Sequence, residues 1–300
     1  MTSARPVTPA IAFGVAAIGI FVFSGMDAVM KGLVITLGVY TTMFWRSVAG
    51  VVFSGAIYAV RRRGWPSRVA MRLHIGRAVV ATVMALSFFW GLARVPMAQA
   101  IALAFIAPII ALFLAAWLLK ERIPRGSVIA CICAAGGIAL ILTGQARAEL
   151  GDDALAGTIA ILVSAVCYAF NLILMRAQSQ VAGAVEVAFW QSLIVSLCLG
   201  IAAPWFVDIP DARHVPTILF AAVLATVSLF LLSWAYQHGE ASYLAPTEYT
   251  SFVWAAILGW VVFAEPLSAW TLAGAALIVV GCFIAARGKP VSVPQVEVAA

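Results

Sequence analysis

The stretch FFWGLARVPMAQAIALAFIAPIIALFLAAWLLKERI runs from Phe88 to Ile123. It contains the end of one apolar helix, a turn at Arg-Val-Pro, a second helix of about twenty apolar residues and a charged terminus. A similar hairpin, LLSWAYQHGEASYLAPTEYTSFVWAAILGWVVFAEPL, follows at Leu231 to Leu267, displaced by 144 positions. The two stretches share Trp90, Ala111, Leu114 and Glu121, which return as Trp234, Ala255, Leu258 and Glu265. The repeated hairpin predicts a chain built from two similar halves.

The composition of the chain decides its class. Hydrophobic residues make up 64% of its 300 residues and charged residues only 10%, and the mean hydropathy is +1.08. Water-soluble domains contain roughly 45–50% apolar and 25% charged residues. Apolar blocks long enough to cross roughly 30 Å of hydrocarbon recur along the chain. We therefore predict an all-α integral membrane protein that begins with a transmembrane helix rather than a removable signal peptide.

Apolar segments with short connections predict ten transmembrane helices. The acidic connection around Asp152 divides them into two halves, residues 1–147 and 148–286. The tail, residues 287–300, mixes proline, glycine and charge, and is predicted to be disordered and cytoplasmic. The ten predicted spans cover residues 9–30, 37–60, 71–93, 97–119, 126–144, 154–176, 185–205, 214–236, 243–263 and 268–286.

Basic residues indicate the orientation of these spans. The net charge is +6, and the basic residues cluster at the helix ends, which is not the pattern of a nucleic-acid-binding surface. They are concentrated in the connections after the second and fourth spans and in the tail. Because cytoplasmic loops carry an excess of lysine and arginine, both termini are predicted to be cytoplasmic, in a protein of the cell (inner) membrane.

The two halves match at more positions than the hairpin. Phe44–Ser47 in the second span corresponds to Phe189–Ser192 in the seventh, and Asp27 corresponds to Asn171. Each half holds five spans, an odd number, so the second half enters the membrane from the opposite side. In such inverted repeats of secondary transporters the substrate site lies near the membrane midplane, between the repeats. We therefore predict two inverted five-helix repeats around a central cavity.

With these features the sequence resembles the drug/metabolite transporter superfamily, in its ten-helix EamA-type branch. The resemblance rests on the doubled five-helix hydropathy, on Arg46, and on the run from Pro108 to Glu121 with its echo ending at Glu265. It implies transport of small metabolites by alternating access through a central cavity. Within the superfamily the chain is most similar to exporters of aromatic and other amino acids. No cofactor is implied, and the chain has no GxxxxGK[ST] nucleotide-binding run.

Polar groups at bilayer depth are costly and usually face a cavity or one another. Helical spacing places a polar stripe on the first, sixth and ninth spans, and deep tryptophans can stack a planar substrate or hold an amino group. The alternative is that hydroxyl and amide groups bond packed helices and that tryptophans face lipid. The candidate substrate-binding residues are Ser24, Asp27, Arg46, Trp90, Gln99, Tyr168, Asn171, Trp190, Tyr243, Thr247, Glu248, Tyr249 and Trp254.

The charged residues among these candidates are predicted to bind the charged groups of the substrate. Arg46, interpreted as the only basic residue well inside a span, is predicted to bind a substrate carboxylate, and Glu248 or Asp27 an ammonium group. One of these carboxylates can alternatively exchange a proton for substrate. The structural alternative pairs Asp27 with Lys31 at i, i+4 and Arg46 with a carboxylate across the bundle, or uses Arg46 to brace the carbonyl ends of a broken helix.

The two copies of the hairpin differ where the site is expected. Gln99, Leu103, Ala104 and Phe105 of the fourth span become Tyr243, Thr247, Glu248 and Tyr249 of the ninth. A mostly apolar helix is thus matched by a polar one. We therefore expect the substrate to bind against the ninth span.

Prolines and glycines suggest the moving and packing parts. Pro108 and Pro246 are candidate gating bends, with a static kink as the alternative. Gly136–Gly137 in the fifth span, with Gly274 and Gly281 in the tenth, permit close backbone approach. These two spans are therefore predicted to pack together as buttresses.

The positions of histidine, cysteine and lysine argue against two other functional classes, an embedded enzyme and a retinal-type receptor. An embedded enzyme needs clustered catalytic or metal-binding groups, but the three histidines lie in separate regions and the five cysteines fall within apolar blocks. A retinal-type receptor needs a mid-helix lysine, and Lys31 is predicted at a helix end. We therefore predict a secondary transporter, not an enzyme, that exports amino acids or similar small metabolites and functions as a monomer in the bilayer. Lipophilic drugs are the alternative substrates; nucleotide-linked sugars would need a more basic cavity.

Overall fold

A computed structural model of the chain describes residues 9–61, 65–118, 125–147, 151–238 and 241–287. Eleven α-helices account for most of these residues, together with one 3-10 turn at Ala212–His214. The helices are α1 (Pro9–Leu37), α2 (Val39–Arg61), α3 (Arg68–Leu92), α4 (Met97–Ala104), α5 (Ala107–Leu118), α6 (Arg125–Arg147), α7 (Gly151–Ser179), α8 (Ala184–Phe206), α9 (Val215–His238), α10 (Ala241–Phe263) and α11 (Ala269–Arg287).

The length and apolar character of these helices make the chain a multi-pass membrane protein. Six of the described helices, α1, α2, α3, α7, α8 and α9, are long and apolar enough to cross a bilayer. Shorter apolar segments lie in α4–α5, α6, α10 and α11. The predicted all-helical membrane class is therefore confirmed. The charged connection 119–124 and the tail beyond Arg287 lie outside the described residues.

The predicted fourth span, 97–119, is not one continuous helix. It is broken at Phe105–Ile106, between α4 and α5. Pro108 explains the break, because it has no N–H to donate to the Ala104 carbonyl and its ring clashes with that residue. The amide of Ile106 bonds instead to the Leu103 carbonyl at 3.2 Å, in a tighter turn. Pro246, by contrast, lies inside the unbroken helix α10.

Hydrogen bonds at the helix ends define two ends of the bundle. At the first, here called the Glu265 end, the carboxylate of Glu265 accepts a hydrogen bond from the Met97 amide at the start of α4 (2.8 Å). At the second, here called the Glu186 end, Glu186 at the start of α8 contacts His74 near the start of α3. Since successive spans alternate in direction, with α4 and α5 counted as one span, the position of a residue along its helix gives its depth between the two ends.

The helices pack in pairs that join the two parts of the chain. The main pairs are α6 with α11, α3 with α7, α1 with α9, α2 with α8, α1 with α10, and both α4 and α5 with α7. Buried side chains from both parts, including Met30, Met43, Leu103, Leu199 and Ile278, form one core cluster. Within residues 9–61, 65–118, 125–147, 151–238 and 241–287 the helices form no separate lobe, so the described polar groups inside the bundle lie between helices.

Glycines mark the closest helix crossings. A Cβ at Gly137 of α6 would lie 2.6 Å from the Gly274 carbonyl oxygen of α11, and a Cβ at Gly274 would lie 2.6 Å from the Gly137 carbonyl oxygen. The predicted close approach of the fifth and tenth spans is confirmed at these two residues. Helices α3 and α7 meet similarly, since a Cβ at Gly91 would lie 2.5 Å from the Gly157 carbonyl oxygen.

We expect Gly137→Ala to destabilise the bundle, because the new methyl group would collide with backbone that cannot move aside cheaply. Overpacking of this kind typically costs about 1–3 kcal/mol. The measurement is the apparent melting temperature of the purified protein in detergent. Gly14→Ala in α1 is the matched control, since nothing lies within 4 Å of a Cβ there. Equal melting temperatures for the two variants would contradict the close crossing of α6 and α11.

Candidate functional site

A guanidinium lies between α3 and α7 in the half of the bundle near the Glu186 end. Arg77 donates from Nε to Asn171 Oδ1 at 3.1 Å and from Nη1 to Gln178 Oε1 at 2.5 Å. Asn171 and Gln178 are both buried, and Arg77 is half-buried. Arg77 lies nine residues, about 13 Å, from the start of α3. The interpretation of Arg46 as the only basic residue well inside a span is therefore wrong.

A phenol and a carboxylate share this level with Arg77. The Tyr168 hydroxyl on α7 interacts electrostatically with both Arg77 and Glu248. Tyr168 is 39% exposed, and Glu248 on α10 is also exposed. Glu248 lies seven residues from the start of α10, about 10 Å from the Glu186 end. The structure thus places three predicted site residues, Tyr168, Asn171 and Glu248, at the level of Arg77, which the sequence pattern did not single out.

A second charged pair lies nearer the Glu265 end. The Asp27 carboxylate of α1, only 2% exposed, interacts electrostatically with the Arg46 guanidinium of α2. Within the described part of the chain, Asp27 Oδ1 and Arg46 Nε are buried without a hydrogen-bond partner. Buried polar atoms are normally bonded, so this pair has unused capacity to bind a further polar group.

The structure does not bring Arg46 and Glu248 to one level. Arg46 lies seven residues from the start of α2, at the Glu265 end, whereas Glu248 lies seven residues from the start of α10, at the Glu186 end. Each is therefore about 10 Å from an opposite end of the bundle. Glu248 is therefore closer in depth to Arg77 than to Arg46.

The i, i+4 pairing of Asp27 with Lys31 is wrong. Helix α1 continues to Leu37, so Lys31 lies inside it rather than at its end, and the side chain is only 3% exposed. Its ammonium group forms an ion pair with Glu265 Oε1 and donates to the Val95 carbonyl oxygen at 2.7 Å. Glu265 in turn accepts from the Met97 amide. These four residues, here called the Lys31 latch, tie α1 and the end of α10 to the start of α4.

The other predicted site residues make local or packing contacts. Gln99 Nε2 donates to Thr158 Oγ1 at 3.3 Å, linking α4 to α7, and Thr247 bonds within its own helix. Ser24 is buried. The side chains of Tyr243 and Pro246 lie outside the described residues. Ring contacts join Tyr249 to Phe105 and Phe283, Trp254 to Phe21, Trp90 to the Arg94 guanidinium, and Trp190 to His74.

A sequence signal for the missed residues exists in the helical spacing. His74 and Arg77 are three residues apart on α3, and Asn171 and Gln178 are seven apart, or two turns, on α7. Such spacings place each pair on one face of its helix. Two polar faces in spans of opposite direction would have suggested a hydrogen-bonded contact between them.

Comparison with known proteins agrees with this architecture. The model of the EamA-like transporter family matches residues 10–143 and again residues 155–287. A pseudopaline exporter (CntI) of Pseudomonas aeruginosa is 29% identical over 273 residues, covering 90% of this chain and 93% of that protein. An uncharacterized transporter of Helicobacter pylori is 24% identical over 250 residues, covering 79% and 81%. A riboflavin transporter of Rhizobium johnstonii is 24% identical over 266 residues, covering 85% and 84%.

A solved structure shares the fold. One crystal structure superposes with a TM-score of 0.61 at 18% sequence identity, covering 93% of this chain and 98% of the other. At this identity the likeness concerns the fold alone. It extends over both parts of the chain.

Proposed function

Because the chain belongs to the EamA-like transporter family, we propose that it is a secondary transporter that exports amino acids or similar small zwitterionic metabolites from the cytoplasm. The observation that carries this proposal is the common level of Arg77, Tyr168, Asn171 and Glu248 on three helices. A cation, a carboxylate and two neutral polar groups together complement a molecule with one carboxylate and one ammonium group.

In the proposed binding mode Arg77 holds the carboxylate, since guanidinium–carboxylate bonds are stronger than neutral ones and can be bidentate. Glu248 holds the ammonium group, and Tyr168 bridges the two charges from α7. Asp27 and Arg46 form a second polar station nearer the Glu265 end. Substrate passing between the stations would exchange one charged pair for another without entering a fully apolar region.

We further propose that ten spans form two inverted repeats and that transport follows alternating access. The two family matches, at 10–143 and 155–287, support a duplicated unit. The helix packing also supports it. When the halves are exchanged, the pair α3–α7 becomes α9–α1, while α2–α8 and α6–α11 each map onto themselves. The break at Pro108 and the proline at Pro246 remain our candidate bends for gating.

The Lys31 latch and the charge distribution suggest the direction of transport. With both termini in the cytoplasm of a bacterial cell, the Glu265 end faces outward and the Glu186 end faces inward. The latch closes the outer end, so substrate reaches Arg77 and Glu248 from the cytoplasm. The relatives named as a pseudopaline exporter and a riboflavin transporter suggest that substrates larger than amino acids belong in the test panel.

Counterflow in proteoliposomes tests the proposal. Liposomes loaded with one unlabelled compound are given a trace of the same compound in labelled form, and its accumulation is measured for amino acids, riboflavin and a cationic drug. Accumulation of at least one amino acid is expected. If only the cationic drug exchanges, the zwitterion assignment is wrong.

Glu248→Gln is expected to reduce amino-acid counterflow at least tenfold. The variant loses a charge-assisted contact with the ammonium group, which contributes about 1.5–3 kcal/mol. The control is Asp211→Asn, which removes an exposed carboxylate paired with Arg213 at 3.0 Å. Wild-type counterflow by a correctly folded Glu248→Gln protein would remove Glu248 from the site.

A further inference from the structure

A chain of hydrogen bonds runs from Arg77 to the Glu186 end. Gln178 Nε2 of α7 lies 2.5 Å from His74 Nδ1 of α3, and His74 Nε2 lies 3.1 Å from Glu186 Oε1 of α8. His74 is fully buried, whereas Glu186 is 27% exposed. The chain therefore connects a buried imidazole to the surface through one carboxylate and to the proposed substrate site through one amide.

The donors and acceptors of this chain have a single consistent arrangement. Arginine has only donors, so the Gln178 oxygen must face Arg77 Nη1. The Gln178 amide nitrogen then faces His74 Nδ1, which must accept. His74 is therefore neutral in this arrangement, carries its proton on Nε2 and donates it to Glu186.

A second proton on His74 disrupts this arrangement. Protonated histidine has a donor on each ring nitrogen, so Nδ1–H would face the N–H of the Gln178 amide. Turning that amide over would satisfy His74 but would present the amide N–H to Arg77, which also has only donors. If the amide stays in place the Gln178–His74 bond is lost, and if it turns over the Gln178–Arg77 bond is lost. In both cases the bond from His74 to Glu186 becomes an ion pair.

The titratable and charged groups near His74 come from several helices. Its own helix contributes Arg77 and the exposed Arg72, α8 contributes Glu186, and α7 contributes Tyr168 beside Arg77. From α2, Tyr58 stacks on Phe189. The titratable residues of α1, Asp27 and Lys31, lie toward the other end, and α4 has none. Histidine is the side chain that ordinarily changes charge between about pH 5 and pH 8.

We propose that His74 is a proton-binding site that controls whether Arg77 is free to bind the substrate carboxylate. The proposal rests on the proposed function in assigning substrate to Arg77. A proton that enters through Glu186 and protonates His74 favours the turned-over Gln178 amide, whose oxygen accepts from Nδ1–H, and so releases Arg77 from Gln178. Substrate then binds more tightly at low pH, and by reciprocal linkage bound substrate favours the protonated histidine. The site makes export responsive to acidification of the cytoplasm.

Substrate affinity measured at pH 8 and pH 6 tests the linkage. For whichever compound exchanges in counterflow, the wild-type Kd is expected to fall about fivefold between pH 8 and pH 6, the factor corresponding to one net hydrogen bond. In His74→Gln the ratio of the Kd at pH 8 to the Kd at pH 6 is expected to be near one. Gln178→Met, which keeps His74 but removes its connection to Arg77, is expected to bind at both pH values as wild type does at pH 6. A wild-type ratio near one, or an unchanged ratio in both variants, would overturn the proposal.

A second measurement is independent of any substrate. The variant His214→Asn/His238→Asn retains His74 as its single histidine, and its imidazole can be labelled with ¹⁵N. The expected nitrogen chemical shifts at pH 8 are those of the neutral tautomer protonated on Nε2. A tautomer protonated on Nδ1, or a charged imidazole at pH 8, would overturn the proton site even if transport proceeds. If the nitrogen shifts are those of the neutral tautomer protonated on Nε2 but no compound exchanges in counterflow, the result counts against the proposed function and not against the proton site.

Discussion

Arg77→Met is expected to abolish amino-acid counterflow, with at least a 30-fold loss in initial rate. The side chain makes two hydrogen bonds to buried amides and supplies the positive charge at the level of Glu248. Truncating one partner of a buried, hydrogen-bonded charge pair typically costs about 2–5 kcal/mol. The measurement is counterflow in proteoliposomes, normalised to the amount of folded protein.

Two further variants make the Arg77 result interpretable. Arg77→Lys keeps the charge but loses the planar fork of donors, so it is expected to fold and yet transport at least tenfold more slowly. Arg72→Gln removes an exposed arginine from the same helix and is expected to transport normally. Full activity of Arg77→Lys would show that a point charge suffices, and full activity of Arg77→Met would exclude Arg77 from the substrate site.

Lys31→Met is expected to open the Glu265 end. Removing one partner of a buried ion pair costs about 3–5 kcal/mol, because the other charge is left uncompensated. Glu265 would keep its bond to Met97 but lose its counter-charge. Ala98, which is 5% exposed and lines a small recess beside Glu265, reports the change. In a background without native cysteines, labelling of Ala98→Cys by a membrane-impermeant maleimide is expected to accelerate at least tenfold.

Paired controls separate the Lys31 latch from a general loss of stability. Lys31→Met/Glu265→Met removes both charges and is expected to be more stable than Lys31→Met alone, as replacement of buried pairs by apolar residues often is. Arg213→Met breaks the exposed pair with Asp211 and is expected to change the labelling rate very little, since such pairs contribute about 0–1 kcal/mol. Unchanged labelling in Lys31→Met would show that the latch does not hold this end closed.

The sequence predicted what depends on composition and local spacing. Long apolar blocks predicted the membrane class, and Gly137 and Gly274 predicted a close crossing, because hydropathy and the absence of a Cβ are properties of single positions. Pro108 was identified as a bend, but it breaks its span at Phe105–Ile106, whereas Pro246 lies inside the unbroken helix α10. The local pattern, a proline within an apolar span in both cases, does not distinguish these two outcomes.

The charge pairs were harder to predict because they join distant parts of the chain. Lys31 meets Glu265 across 234 positions and Arg77 meets Gln178 across 101. In a single sequence the nearest opposite charge, Asp27, was the obvious partner for Lys31. Only the arrangement of α1 against α10 directs the ammonium group away from it. Arg77 was missed for a related reason, because the amides that it bonds, Asn171 and Gln178, lie on α7, 94 and 101 positions further along the chain.

The break between α4 and α5 has a mechanical consequence. Because the two half-helices share no continuous backbone ladder across Phe105–Ile106, each can follow its own neighbours. Helix α4 is tied through the Met97–Glu265 bond to the residue just past the end of α10, whereas α5 packs on α6; both half-helices also contact α7. The carbonyl of Ile106 accepts from both Ile109 and Ile110 at 3.0 Å. This residue is the point at which the angle between α4 and α5 can change. The two half-helices can therefore tilt separately, so a movement at the Glu265 end, where α4 begins, need not be accompanied by one at the Glu186 end, toward which α5 runs.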